Sequence, residues 1–394
     1  MFSQRTNWNL EENAYTRALQ RHRAAGKRIL DLTASNPTTC GFQYDEMAIL
    51  DALRDPASLR YEPEPKGLLA AREAVARYYG EKGASGVDLE NLILTTGTSE
   101  AYSFLFRLLC EPGDEVLIAH PSYPLFEFLA TIQDVKLRPF QFVYDHGWQI
   151  DFHSLREALG ARTRAIVVVH PNNPTGHFTG AAEAEELNAI CAKHDLALIV
   201  DEVFLDYGMK AAGARKKRHG TFVSNAAALT FVLSGLSKIA ALPQMKLGWI
   251  AASGPAGLVR ESMARIEVIA DTYLSLNAPL QRALPALLAQ RAEMQRQIMA
   301  RVEANLVELD ARLARQKSVS RLEVEGGWYV VLRVPAVQSD EELAIRLLEE
   351  RGVLVHPGHF YDFADQGYLV ISLLTPSEEF AEGVRELLAC AGSL

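Results

Sequence analysis

Residues 164 to 204 read "RAIVVVHPNNPTGHFTGAAEAEELNAICAKHDLALIVDEVF". Two short runs, "AIVVV" and "LALIV", are aliphatic without polar alternation, the pattern of strands covered on both faces. Between them "AAEAEELNAICAKH" is rich in helix formers. Strand, helix and buried strand in that order predict a parallel sheet with a crossover helix.

The same alternation extends in both directions. "NLILTT" precedes a helix over "SEAYSFLFRLLC", which closes at the Pro-Gly turn of "EPGDE". "EVLIAH", a helix from "YPLFEFLATI", "VKLRPFQF" and a helix near "DFHSLREAL" follow, and beyond the opening stretch come "LTFVLSG" and "LGWIAA". We expect an α/β layer with a mostly parallel central sheet and a ligand crevice at the C-terminal ends of its strands. From Leu276 to Gln316 the character becomes one long helical stretch, interrupted near Pro285. "RLEVEGGWYVVLRVP", "SDEELAIRLLEERG", "VLVHPG" and "YLVISLL" then read as a smaller α+β domain. The expected division is a large domain over 40–280 and a small one from 1–39 and 281–394, with the polar N-terminal segment packing on the latter.

The chain has 394 residues, with 40 Lys and Arg against 49 Asp and Glu for a net charge of −9. An acidic chain argues against a nucleic-acid partner. The basic run "KAAGARKKRHG" from Lys210 to Gly220 reads as a solvated loop. Four scattered cysteines without a CxxC pair fit a reduced, cytoplasmic protein. The N-terminus lacks an apolar leader core, and no run reaches the roughly 18 apolar residues of a membrane span. No metal-ligand pattern stands out.

Four features at the ends of strands carry the chemistry. "HPNNPTG" (170–176) is a tight polar turn whose Asn side chains can face the crevice. Asp201 ends a doubly buried strand and needs a cationic partner; taken singly it reads as a helix cap or an ion-pair member. Lys238 follows "LTFVLSG", and an amine in so apolar a place has a depressed pKa. Together the two suit a pyridine aldehyde, the amine forming a Schiff base and the carboxylate keeping the ring nitrogen protonated. In "TTGTSEAY", Gly97, Thr98 and Ser99 stand where a strand enters a helix, and its free amides suit a phosphate. Tyr123 in "HPSYPLF" is placed to stack on a ring.

These residues resemble the pyridoxal-phosphate (PLP)-dependent aminotransferases of class I/II, fold type I. The resemblance rests on "SNPT" at 35, "YEPEPKGLLAAREAVARYY", "TTGTSEAY", "PSYP", "NNPTG", "VDEVF", "SGLSK" and "HPGHF" in that order. It implies pyridoxal 5'-phosphate held by Lys238 as a Schiff base, with catalytic roles for Lys238, Asp201 and Tyr123. The cofactor set it implies is Gly97, Thr98, Ser99, Tyr123, Asn173, Asp201, Phe204, Ser237, Lys238, Lys246 and Tyr61. Tyr61 is expected to reach the phosphate of a neighbouring subunit, which makes the chain a homodimer with shared sites. The implied reaction moves an amino group from a small-molecule donor to a 2-oxo acid; a PLP-dependent C–S lyase or decarboxylase is the alternative.

The chain departs from that pattern at four places. Lys246 stands for the usual phosphate-binding arginine, Gly235 for a frequent serine, and Phe204 for a tyrosine. Val370, in "YLVISLL", takes the place of the arginine that forks the substrate carboxylate. For substrate binding this leaves Ser35 and Asn173 with two candidate replacements, His359 and Arg333. Alternatively the substrate lacks a free α-carboxylate, or the arginine's counterpart lies a few residues from Val370.

Overall fold

The computed structural model describes residues 1–84, 86–209 and 218–392. The basic run thus lies outside the described residues up to position 217. In chain order the large sheet comprises β1 (Leu92–Thr95), β2 (Glu115–His120), β3 (Lys136–Tyr144), β4 (Trp148–Ile150), β5 (Thr163–Val169), β6 (Ala197–Asp201), β7 (Thr230–Gly235) and β8 (Gly248–Ser253). The opening stretch supplies β5, the helix Ala181–His194 and β6, paired in parallel from Ala165↔Ala197 to Val169↔Asp201.

The spatial order is β1-β8-β7-β6-β5-β2-β3-β4. β7, β6, β5, β2 and β3 run parallel, whereas β8 opposes both neighbours and β4 opposes β3. The sheet is therefore mixed, with its parallel strands in the middle. Between β7 and β8 lie only the one-turn helix Leu236–Ile239 and a 3-10 turn, Pro243–Met245, so the chain doubles back.

Side chains alternate across the sheet. In β6, Ala197 and Ile199 face one apolar cluster while Leu198 and Val200 face the other. The first cluster lies under helices Thr98–Leu109 and Ala256–Tyr273. The second runs on into the C-terminal part of the chain.

There β9 (Ser320–Arg321), β10 (Tyr329–Arg333), β11 (His356–Pro357) and β12 (Tyr368–Ser372) form an antiparallel sheet in the order β9-β10-β12-β11. Helix Asp340–Arg351 packs beside it, its first turn closed by a reciprocal Ser339–Glu342 capping box. The N-terminal helix Ala14–Ala24 lies on that helix, and Tyr15 Oη donates to Val355 O at 2.7 Å. The C-terminal helix Ser377–Ala391 completes this layer.

The long helical stretch is interrupted later than expected. Pro285 lies within the helix Ala278–Ala289, and the break falls at Gln290, before Arg291–Leu313. A proline forfeits one hydrogen bond but need not end a helix held by tertiary packing. At the true end, the Arg291 guanidinium takes the Leu288 carbonyl at 2.7 Å.

Candidate active site

The β5–β6–β7 strand ends and the helix start after β1 converge with the small sheet on one cavity of about 440 Å³. Lys238 enters it from the one-turn helix after β7. Tyr207 Oη holds the Lys238 backbone carbonyl at 2.5 Å. The Lys238 Nζ lies 4.9 Å from the Trp328 ring centroid and 5.6 Å from that of Phe204. Burial between these rings lowers the amine's pKa to about 8, against an upward pull from Asp201. The lysine is thus poised to lose its proton near neutral pH.

Asp201 is the mirror case. Burial raises its carboxyl to about 6, opposed by the Val203 amide at 3.1 Å, the Tyr102 hydroxyl at 3.2 Å and the Lys238 charge. Tyr102 is itself held far above the ordinary phenol value by burial, so it stays a donor. Two bonds leave capacity on a carboxylate. A cationic N–H in the cavity would supply the missing stabilisation.

The "NNPTG" turn uses its two asparagines differently. Asn172 is spent on the turn: its Oδ1 accepts from Thr175 Oγ1 at 2.8 Å, and its backbone N–H donates to His177 O at 2.9 Å. Gly176, at φ +71°, leaves no room for a Cβ, which would fall 2.4 Å from Val324 Cγ2. Asn173 is left facing the cavity, its Oδ1 buried and without a partner among the described residues. Such an orphan is costly unless a ligand pairs with it.

Gly97, also on the cavity lining, is the N-cap of the helix Thr98–Leu109 and offers no side-chain cap. The first amides, beside the hydroxyls of Thr98 and Ser99, thereby remain open to an anion. Ser237 and Lys246 line the same cavity. Lys246 is exposed and takes the left-handed conformation at φ +47°. Gly235 could not be the familiar serine here, because a Cβ would stand 2.7 Å from Leu247 O.

Tyr123 and Ser35 also line the cavity, and Phe204 is packed edge-on against Trp328 at 5.2 Å. Two substrate candidates lie elsewhere. His359 is exposed on the turn Gly358–Tyr361, outside the cavity lining. Arg333 is exposed at the far end of β10, its guanidinium 5.9 Å from the Tyr144 and Tyr368 rings. At about 3.3 Å per residue it stands roughly 13 Å along the strand from Tyr329, which does line the cavity. Tyr61, 82% exposed, is on a surface segment away from this cavity.

Sequence reasoning missed Tyr102, Tyr329, His356 and Tyr361. Tyr102 had a signal: it follows Thr98 by one helical turn and so shares its face. Burial pushes the Tyr329 phenol up to about 12, opposed by Ser35.

The aminotransferase class I and II family model matches residues 9–387. The chain belongs to the aminotransferase class I and II family. Among relatives, glutamate-pyruvate aminotransferase AlaA of Haemophilus influenzae is 25% identical over 92% of this chain and 90% of that protein. Alanine aminotransferase of Mycobacterium bovis is 27% identical over 92% and 86% respectively. The solved alanine aminotransferase of Pyrococcus furiosus superposes with a TM-score of 0.89 at 22% identity, covering 100% of both chains. The aminotransferase fold expected from the sequence is thereby established. Family members use pyridoxal 5'-phosphate, and the chain is a PLP-dependent aminotransferase; the names of its relatives do not favour a lyase or decarboxylase. The residues present fit that cofactor: a depressed amine, a buried carboxyl short of a cation, an orphaned amide and an uncapped helix start lie around one cavity.

Proposed function

We propose that Lys238 is the covalent anchor of the cofactor and the proton carrier of amino transfer from an amino donor to a 2-oxo acid. The observation that carries this reading is the amine lowered to about 8 in the same cavity as a buried carboxyl raised to about 6. Pyridoxal phosphate supplies an aldehyde for the amine and a pyridine ring that draws electrons from the substrate carbon. Lys238 Nζ, in its neutral form, would be the amine that holds that aldehyde and, when free, would take and return the proton of the substrate carbon. Asp201, steadied by Tyr102 and the Val203 amide, would accept the bond of a protonated ring nitrogen. Asn173 would bind the ring hydroxyl and Tyr123 would cover the ring. The amides and hydroxyls at Gly97, Thr98 and Ser99, with Ser237 and Lys246, hold the phosphate. Phe204 contributes only apolar packing where the family pattern has a hydroxyl.

We further propose a cytoplasmic homodimer in which Tyr61 completes the partner's phosphate site. Its exposed ring, among surface residues Arg60 to Pro65, supports this. Four cysteines with no disulfide among the described residues support a reducing compartment, and among those residues no helix is long and apolar enough to cross a membrane. The proposed domains are 40–280 against 1–39 with 281–394. Helix Ala278–Ala289 packs on Leu69–Glu81, which favours moving the junction to Gln290.

Borohydride treatment of the cofactor-loaded protein, followed by peptide mapping, tests the anchor. The label is expected on Lys238, and Lys238→Ala should lose label and about 10²–10⁴-fold in turnover. A label elsewhere, or undiminished turnover, would overturn the reading.

A further inference from the structure

The position that departs most from the family pattern, Val370, is fully buried in β12. Its register partners are Val331 on one side and His356 on the other. Residues directly opposite one another on antiparallel strands project from the same face of the sheet. By register, then, an imidazole stands next to the place where the arginine is missing.

His356 is half-buried and lines the cavity. Its Nδ1 lies 3.1 Å from Tyr361 Oη, while Nε2 has no hydrogen-bond partner among the described residues. Burial and the neighbouring Tyr329, Tyr123 and Tyr15 hold the Tyr361 phenol well above its ordinary value, so it stays neutral. When that hydroxyl donates to Nδ1, the imidazole hydrogen sits on Nε2.

We propose that His356, oriented by Tyr361, binds the substrate's α-carboxylate in place of the missing arginine, through an N–H···O bond from Nε2. The proposal rests on the aminotransferase reading of the site. Ser35 and Tyr329, which also line the cavity, offer neutral hydroxyls to the second carboxylate oxygen. The substrate class is an amino acid with a free carboxylate, held at one charged point where arginine would give a two-pronged fork.

The grip involves a proton. The titratable groups that act on His356 are Asp31, through its charge, and Tyr361, through its hydroxyl; the Phe360 ring lies 6.0 Å away, and Tyr15 bonds the adjacent Val355 carbonyl. Burial lowers the imidazole's pKa, and Asp31 partly offsets this. At neutral pH the free enzyme therefore carries neutral His356, and an arriving carboxylate favours the charged form. Carboxylate binding is expected to draw up to one proton from solution.

Calorimetry on the cofactor-loaded full chain tests this with two inert probes that lack an amine, 3-phenylpropionate and 3-phenylpropanamide. Titration in buffers of different ionisation enthalpy reads proton uptake directly. The acid should bind with uptake. His356→Asn should weaken it about 10- to 100-fold, the range of a lost charge-assisted bond, and abolish uptake while leaving amide affinity within about twofold. Tyr361→Phe, which keeps the imidazole but frees its orientation, should weaken the acid several-fold and serves if the first variant fails to fold. Equal affinity for acid and amide, no acid binding by the wild type, or unchanged acid affinity and uptake in His356→Asn would overturn the proposal. Failure of the underlying reading looks different, because the chain would then take up no pyridoxal phosphate and stay colourless.

Discussion

At one end of the cavity, Asp201 and Lys238 meet as charges, each displaced from its ordinary pKa by burial and each pulled back by the other. At the other end, Ser35, Tyr329, His356 and Tyr361 meet as largely neutral donors and acceptors. The first set stands on strand ends of the large sheet; the second is assembled from an N-terminal loop and the small sheet. The difference separates two tasks. Under the proposed roles, a fixed cofactor would be met by groups whose protonation is tuned in advance, and a visiting substrate by groups able to adjust when it arrives.

Removing the tuned carboxyl is the strongest way to break this contrast. Asp201→Asn should cost about 10²–10³-fold in kcat, the usual size for losing one preorganised electrostatic partner, with KM for the amino donor nearly constant. A change in KM with kcat intact would place Asp201 at the substrate end instead.

A milder probe leaves the sequence untouched. With Lys238 near 8 against an ordinary 10.5, the neutral amine grows with pH and levels off above about 8. The rate of cofactor capture by ligand-free protein should rise about tenfold per unit below that point and flatten above it. A rise continuing past about pH 10 would show an unperturbed amine.

The smallest effect is expected at the phosphate. Lys246→Ala should weaken cofactor retention about tenfold at low salt, and the loss should shrink as salt is added. Equilibrium dialysis of pyridoxal phosphate measures both. A salt-independent loss would mean that Lys246 acts through packing.

The same division explains what could be read from sequence. That Gly97 to Ser99, Asn173, Asp201 and Lys238 would meet at one cavity was legible because each lies at or just after the end of an apolar run, where strand ends must put them. At the substrate end, "HPGHF" offers two histidines, and spacing does not say which faces inward. His356 still belongs to β11, whereas His359 comes after the chain has turned into the 3-10 segment Gly358–Tyr361 and points to solvent. Arg333 misled for a related reason, since strand membership alone does not give distance along the strand. The direction of β8 was illegible too, because an apolar run such as "GWIAA" is the same whether its neighbour is parallel or antiparallel. Nor did composition separate Asn172, consumed by its own turn, from Asn173.

Lys246 has a further consequence. A lysine at φ +47° and ψ +55° carries a steric penalty that glycine would escape. Relieving that penalty and keeping the charge are opposed demands on a single position. Glycine or asparagine would suit that backbone better, so under the proposed phosphate role Lys246 is a place where the fold gives up some stability for its ligand.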